Sequence, residues 1–339
     1  MKGNLVINSG FSLPERYRQA FRFACTQLQA DSQLRQTARG AVETGLTGQG
    51  SAVLISHGSG GGYDMGLWLA RLIGGPYQYT CPSRFGYLRS PVPVDASPEA
   101  QADTYIALLD TLAVSSAVII GLSAGGPSAL QFALRHPGRC RGLVMLSAAS
   151  LPVPPLSPFL KAVVSAMLRS DFLPWLLYTI SPYTVYQSNG VNRALIARIQ
   201  KEPETIRLLD GLYQTSFPST LRRAGMLNDM RQLTIPFAFS LGQISVPTLV
   251  IHAKNDPIVP FSSGEYSARM IPNARFLQMP DGGHFVTITH RDAVVPVVAD
   301  FLRSCGVPST TTTPGKLDRG WQFVAGISSG SDDGKIAPY

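Results

Sequence analysis

The chain has 339 residues, 45% of them hydrophobic, and a mean hydropathy of +0.09, too apolar for a disordered protein and long enough to bury a large core. No uninterrupted apolar run reaches the ~20 residues of a membrane-spanning helix; Phe159 to Ile180 comes nearest, and Lys161, Arg169, Asp171 and Pro174 interrupt it. The formal charge is +8, but the basic residues are scattered without a polybasic block, so a solvated basic surface is expected rather than a nucleic-acid partner.

Met1 to Ala30 lacks the 7–15-residue apolar stretch of a secretory signal, which leads to the expectation of a cytoplasmic protein. Leu13, Tyr17, Phe21, Ala24 and Leu28 recur at helical spacing, with Arg16, Arg18, Arg22 and Gln29 on other faces. One amphipathic helix is therefore expected between Pro14 and Leu34, within an N-terminal helical extension over residues 1–44. Such a helix packs on its own domain or associates with a membrane surface or partner. Ser51 to Ser56 reads as a strand that runs into His57-Gly58-Ser59-Gly60-Gly61-Gly62. That run spells neither a P-loop nor a dinucleotide fingerprint, but its glycines let backbone N–H groups approach a substrate oxygen closely. Tyr77 to Cys81 is a second strand. Ser97 caps a helix with Pro98 and Glu99 in its first turn and Tyr105, Leu108, Leu109 and Leu112 as its buried stripe.

Ala117 to Ile120 form a short, wholly apolar strand, followed by Gly121-Leu122-Ser123-Ala124-Gly125-Gly126 and a helix from Pro127 to Leu134. A serine at a sharp strand-to-helix corner flanked by small residues has its hydroxyl lifted clear of the sheet. Gly142 to Leu146 is a further buried strand. Residues 151–245 change in texture: prolines are frequent, short apolar stretches are helical, and nine Lys or Arg stand against five acids. This reads as an inserted helical cap whose aromatics, Phe159, Phe172, Trp175, Tyr178, Tyr183, Tyr186, Tyr213 and Phe217 among them, build either its own core or an apolar ligand cavity. Strand texture returns at Val246 to His252, followed by Asn255-Asp256-Pro257. Ala274 to Met279 is the last strand, followed by Asp281-Gly282-Gly283-His284, and a helix from about Asp292 to Cys305 closes the fold. Residues 306–339 read as a loosely attached tail in which Trp321 and Phe323 could dock. Cys25, Cys81, Cys140 and Cys305 form no C-x-x-C, so core thiols are expected and neither a metal nor a redox pair is indicated.

Motifs thus fall at successive strand ends in the order Ser123, Asp256, His284, with His57-Gly58-Ser59 upstream. That order and spacing resembles the α/β-hydrolase superfamily over about residues 45–305. The resemblance implies an α/β fold with a mostly parallel central sheet flanked by helices, a core over residues 45–150 and 246–305, and an inserted helical cap. It implies Ser123 as nucleophile, His284 as general base and then acid, Asp256 as the carboxylate that orients the imidazole, and the N–H groups of Ser59 and Ala124 as oxyanion hole. Gly58, Gly60, Leu122 and Trp175 are candidates for contacting substrate.

The residues agree with those roles, because a serine hydroxyl needs a base that titrates near neutrality and histidine is the side chain that does. Asp281 is the rival acid, three residues from His284 but without the separate strand end of Asp256. Relatives with aspartate at the corner, the epoxide hydrolases and haloalkane dehalogenases, are set apart by Ser123. The expected activity is hydrolysis of a carboxylic ester of a small, mainly hydrophobic molecule, with no cofactor. Lactone, amide or carbon–carbon bond hydrolysis, perhydrolase and hydroxynitrile lyase activities use the same triad and stay open. A non-catalytic receptor on this fold is the alternative of a different class; it need not retain the triad.

Overall fold

The structure, a computed structural model, describes residues 12–237 and 239–306; the expected tail beyond residue 306, with Trp321 and Phe323, lies outside them. The structure begins with helix α1 (Leu13–Ala30), at whose start Glu15 Oε2 accepts from both the backbone N–H and the hydroxyl of Ser12, each at 2.7 Å. Strands β1 (Gln33–Thr37) and β2 (Gly40–Thr47) follow as an antiparallel hairpin. This departs from the helical extension expected over residues 1–44. β1 is an edge strand with Leu34 as its one large apolar residue, and that residue is exposed, so no buried face marks it in the sequence.

The remaining elements of the body are β3 (Ser51–Ser56), α2 (Tyr63–Ile73), β4 (Tyr77–Pro82), α3 (Pro98–Thr111), β5 (Ala117–Leu122), α4 (Gly126–Arg135) and β6 (Cys140–Leu146). Between β6 and the next strand come α5 (Pro158–Met167), α6 (Phe172–Ile180), α7 (Pro182–Ser188), α8 (Arg193–Ile199), α9 (Pro203–Gln214) and α10 (Arg223–Gln232). The chain returns through β7 (Thr248–Ala253), α11 (Phe261–Met270), β8 (Arg275–Met279), α12 (Val286–Thr289) and α13 (Arg291–Ser304). The strands form one eight-stranded sheet in the order β1-β2-β4-β3-β5-β6-β7-β8, antiparallel from β1 to β4 and parallel from there on.

The apolar strands are buried on both faces, as parallel strands under helices must be. Val53 and Ile55 of β3 with Val118 and Ile120 of β5 join the cluster that holds Leu67 and Leu69 of α2 and Phe301 of α13. Their alternates Leu54, Ala117 and Ile119 join Tyr105 of α3 and Leu130 and Phe132 of α4 on the opposite face. Each such side chain contributes about 1.5–3 kcal/mol on full burial. Cys81, Cys140 and Cys305 are buried free thiols and Cys25 is a half-buried one. Among the described residues no helix is long and apolar enough to cross a membrane.

Helices α5 to α10 are held to the body by two buried ion pairs of opposite sense. Arg222, fully buried, donates to both carboxylate oxygens of Asp64 at the start of α2, at 3.0 and 2.7 Å. Arg84, just after β4, donates to both oxygens of Asp229 on α10, each at 2.7 Å. α1 lies along the same insertion, the Tyr17 ring meeting Phe172 at 5.2 Å and Trp175 at 5.4 Å between centroids.

Candidate active site

Ser123 occupies the corner between β5 and α4 with φ of 52°, a left-handed conformation that costs a non-glycine residue about 1–3 kcal/mol. Two glycines permit it. A Cβ on Gly125 would stand 2.1 Å from the Ser56 carbonyl oxygen, and one on Gly121 would stand 2.8 Å from Ala129 Cβ. Behind the corner, the Tyr105 hydroxyl donates to Ser56 Oγ at 2.8 Å and Ser128 Oγ donates to the Gly125 carbonyl at 3.1 Å. The turn is therefore pinned from below by polar contacts in an otherwise apolar layer.

His284 follows β8 on a turn in which Gly282 and Gly283 have φ of 116° and 59°. Its Nδ1–H donates to Asp256 Oδ2 at 2.8 Å, and its Nε2 lies 2.9 Å from Ser123 Oγ. With Nδ1 protonated towards a carboxylate, Nε2 is left to accept the serine proton. Asp256, at the end of β7, is buried. Its Oδ1 accepts from the N–H groups of Ile258 at 2.9 Å and Val259 at 3.0 Å. Burial by itself raises the pKa of this carboxyl, but hydrogen bonds from His252, His284 and the Ile258 N–H and the electrostatic attraction of the His284 ring outweigh it and hold it well below the usual carboxylate range. The structure thus brings Ser123, Asp256 and His284 into one hydrogen-bonded chain. Asp281 is turned away: it pairs with His290 Nε2 at 3.1 Å and accepts from Asn192 at 3.3 Å.

The glycine run after β3 lies against this corner, since a Cβ on Gly58 would stand 3.2 Å from Ser123 Cβ and 3.7 Å from Leu122 Cγ. The Gly60 N–H donates to the Tyr87 hydroxyl at 3.2 Å and the Gly61 N–H to the Gly58 carbonyl at 3.3 Å, whereas the Ser59 N–H has no partner among the described residues. His57 is part of the frame. It is wholly buried, its Nδ1–H donates to the Gly58 carbonyl at 2.7 Å, and its Nε2 accepts the Arg84 N–H at 2.9 Å. Burial and the nearby Arg84 charge push its pKa well below the usual histidine value, so the ring is neutral.

Several supports of the site carry no motif and were invisible in the sequence. The His252 Nε2–H donates to the Val259 carbonyl at 2.9 Å and stands 3.4 Å from Asp256 Oδ2. Asn255 accepts from the Gly283 N–H at 2.9 Å and donates to the Gly190 carbonyl at 2.8 Å, and the His284 N–H donates to the Asn189 carbonyl at 2.8 Å. The turn between α7 and α8 therefore clamps the histidine loop. Tyr87 links Gly60 to Asp229 Oδ2, to which its hydroxyl donates at 2.5 Å. Trp175 is the candidate the structure separates from the rest: it faces α1 and lines a cavity that none of Ser123, Asp256 and His284 touches. Among the described residues no group of three or more His, Cys, Asp or Glu is arranged to hold a metal ion.

A mostly parallel sheet flanked by helices on both faces is the architecture of the alpha/beta hydrolases, and the alpha/beta hydrolase family model matches residues 52–297. The chain belongs to that family and is a hydrolase. It is similar to the putative carbamate hydrolase RutD of Stutzerimonas stutzeri, 27% identical over 263 residues that cover 75% of this chain and 92% of that protein. A poly(3-hydroxyalkanoate) depolymerase of Ectopseudomonas oleovorans is 30% identical over 202 residues, 58% of this chain and 64% of the relative. Among solved structures, an alpha/beta hydrolase fold protein from Nakamurella multipartita superposes with a TM-score of 0.70 at 29% identity, covering 81% of this chain and 99% of that one.

Proposed function

We propose that the protein is a serine hydrolase that cleaves carboxylic esters of small, mainly hydrophobic molecules through an acyl-enzyme. The observation that carries this reading is the contact of His284 Nε2 with Ser123 Oγ at 2.9 Å while Nδ1 is held by Asp256 at 2.8 Å. Ser123 Oγ attacks the ester carbonyl as its proton passes to His284 Nε2, and the buried Asp256 carboxylate stabilises the imidazolium so formed. The oxyanion is received by the N–H groups of Ser59 and Ala124. Collapse expels the alcohol, protonated by His284, and a water activated by the same nitrogen then releases the acid. Helices α5 to α10 act as a cap over the strand ends, and their excess of basic residues favours neutral or anionic esters over cationic ones.

An active-site fluorophosphonate should label Ser123 alone, with labelling abolished in Ser123→Ala; labelling that survives that substitution overturns the assignment. Rates on p-nitrophenyl esters of increasing acyl length, beside a carbamate and a lactone of matched size, test the bond. The ester reading predicts the highest kcat/KM on a medium-chain ester. A dominant rate on the carbamate, the bond named for one relative, would replace it.

A further inference from the structure

A cavity of about 180 Å³ lies between α1, the start of α2 and helices α6, α7 and α9 of the insertion. An apolar cavity of about 150 Å³ takes up a benzene molecule, so this one has room for a single substituted ring. Its wall is aromatic, with Tyr178, Tyr183, Tyr186 and Tyr213 on the insertion side and Tyr63 on the body side. Three carboxyl groups, Asp31, Asp64 and Asp210, also line it, and Asp210 is the one set among the tyrosine hydroxyls. Asp210 Oδ1 accepts the Tyr178 hydroxyl at 2.5 Å, with the Tyr186 hydroxyl 3.0 Å from that of Tyr178 and 3.4 Å from Asp210 Oδ1. Burial raises the Asp210 pKa. Among the described residues no Lys, Arg or His forms an ion pair with Asp210, and its Oδ2 accepts no hydrogen bond.

Of the other acids at the cavity, Asp64 is matched by Arg222 at 2.7 Å and Asp31 by Arg71 at 3.9 Å, and Arg16 of α1 adds one further positive charge. The lining is thus close to neutral as a whole, and selectivity comes from the local contact at Asp210. A half-buried carboxylate with one open oxygen among tyrosine rings is matched by an ammonium group, which both bonds the oxygen and faces the rings.

We propose that this cavity is a second ligand site, separate from the catalytic centre, and that it takes a small aromatic or cyclic amine with the ammonium on Asp210. The site also touches the catalytic machinery indirectly: Asp64 lines it, and Arg222, the partner of Asp64, donates to the Gly61 carbonyl at 2.7 Å in the glycine run beside Ser123.

Trp175 lines the cavity and reports occupancy without reference to turnover. Titration with 2-phenylethylamine should change tryptophan fluorescence saturably, with 2-phenylethanol binding about tenfold more weakly or worse and phenylacetate not at all. Asp210→Asn keeps an acceptor for the Tyr178 hydroxyl and should erase the preference for amine over alcohol. Ala24→Phe, which fills the cavity from α1, should remove binding of both; unchanged circular dichroism melts establish that each variant is folded. Equal binding of amine and alcohol to the native protein, or an unchanged preference in Asp210→Asn, overturns the proposal. So does loss of amine binding after Ser123 has been blocked by fluorophosphonate, because the cavity would then be part of the catalytic pocket. A protein that takes no fluorophosphonate but binds the amine through Asp210 fails the hydrolase mechanism and keeps this site.

Discussion

At the scale of single residues, the way Asp256 is held predicts what an amide would do in its place. Oδ1 already receives two backbone N–H groups, so Asp256→Asn must put its carbonyl oxygen there and turn its NH2 towards His284 Nδ1. That nitrogen then has to accept, the proton moves to Nε2, and Nε2 can no longer take the proton of Ser123. The fold should be unaffected while kcat on a p-nitrophenyl ester drops by about 10⁴. Asp281→Asn should change kcat less than about threefold. Steady-state kinetics of the two variants decide, and a reversed ranking would move the acid to Asp281.

A second consequence at this scale is acid sensitivity. The folded protein holds His57 neutral through burial and the Arg84 charge, and burial also lowers the pKa of His290. The unfolded chain protonates histidine near pH ~6.5, so below that the unfolded state binds more protons and stability rises with pH. The melting temperature should therefore fall as pH is lowered from about 7 to about 5, before the depressed carboxyl of Asp256 begins to protonate. Circular dichroism melts across that range check it; a flat or rising melting temperature would mean that His57 is charged in the fold.

At the scale of elements, the reciprocal pairs Arg222–Asp64 and Arg84–Asp229 tie the insertion to the loops beside Ser123. Removing one partner of such a pair leaves a bare buried charge at a cost of about 3–5 kcal/mol, whereas replacing both by apolar groups is often neutral. Arg222→Ala should lose about that much in urea unfolding and slow catalysis through the Gly61 contact, and Arg222→Met with Asp64→Leu should regain most of the stability. A single variant as stable as the native protein would show that the pair carries no weight. The elements themselves were legible to different degrees. β5, β6 and β7 announce themselves as apolar runs, and Ser97 caps α3 as its spacing suggests, accepting from the Ala100 N–H at 3.2 Å. The β1–β2 hairpin was missed because an exposed edge has no pattern to read. α2 and α11 are less legible, because α2 starts directly after the glycine run and α11 soon after Asp256-Pro257.

At the scale of the whole molecule, the meeting of Ser123, Asp256 and His284 was readable because each stands at the end of its own strand, and a parallel sheet brings such ends to one edge. The supports were not readable, because Arg84, Asp229, Arg222, Asn189 and Asn255 act across separations that no local spacing encodes; Arg84 and Asp229 are 145 positions apart. The position of Trp175 beside α1 was not readable for a related reason: aromatic content marks a cavity wall without saying which cavity.

The opposite sense of the two buried pairs bears on how this protein can change over evolutionary time. A replacement of helices α5 to α10 that did not carry counterparts of Arg222 and Asp229 would strand an acid and a base at once, Asp64 and Arg84, in the body. The two stranded charges are held by different elements, Asp64 at the start of α2 and Arg84 on the His57 carbonyl at 2.8 Å. The four residues therefore couple helices α5 to α10 to the body as two matched pairs, so a change of charge at one position is expected to be tolerated only together with a matching change at its partner.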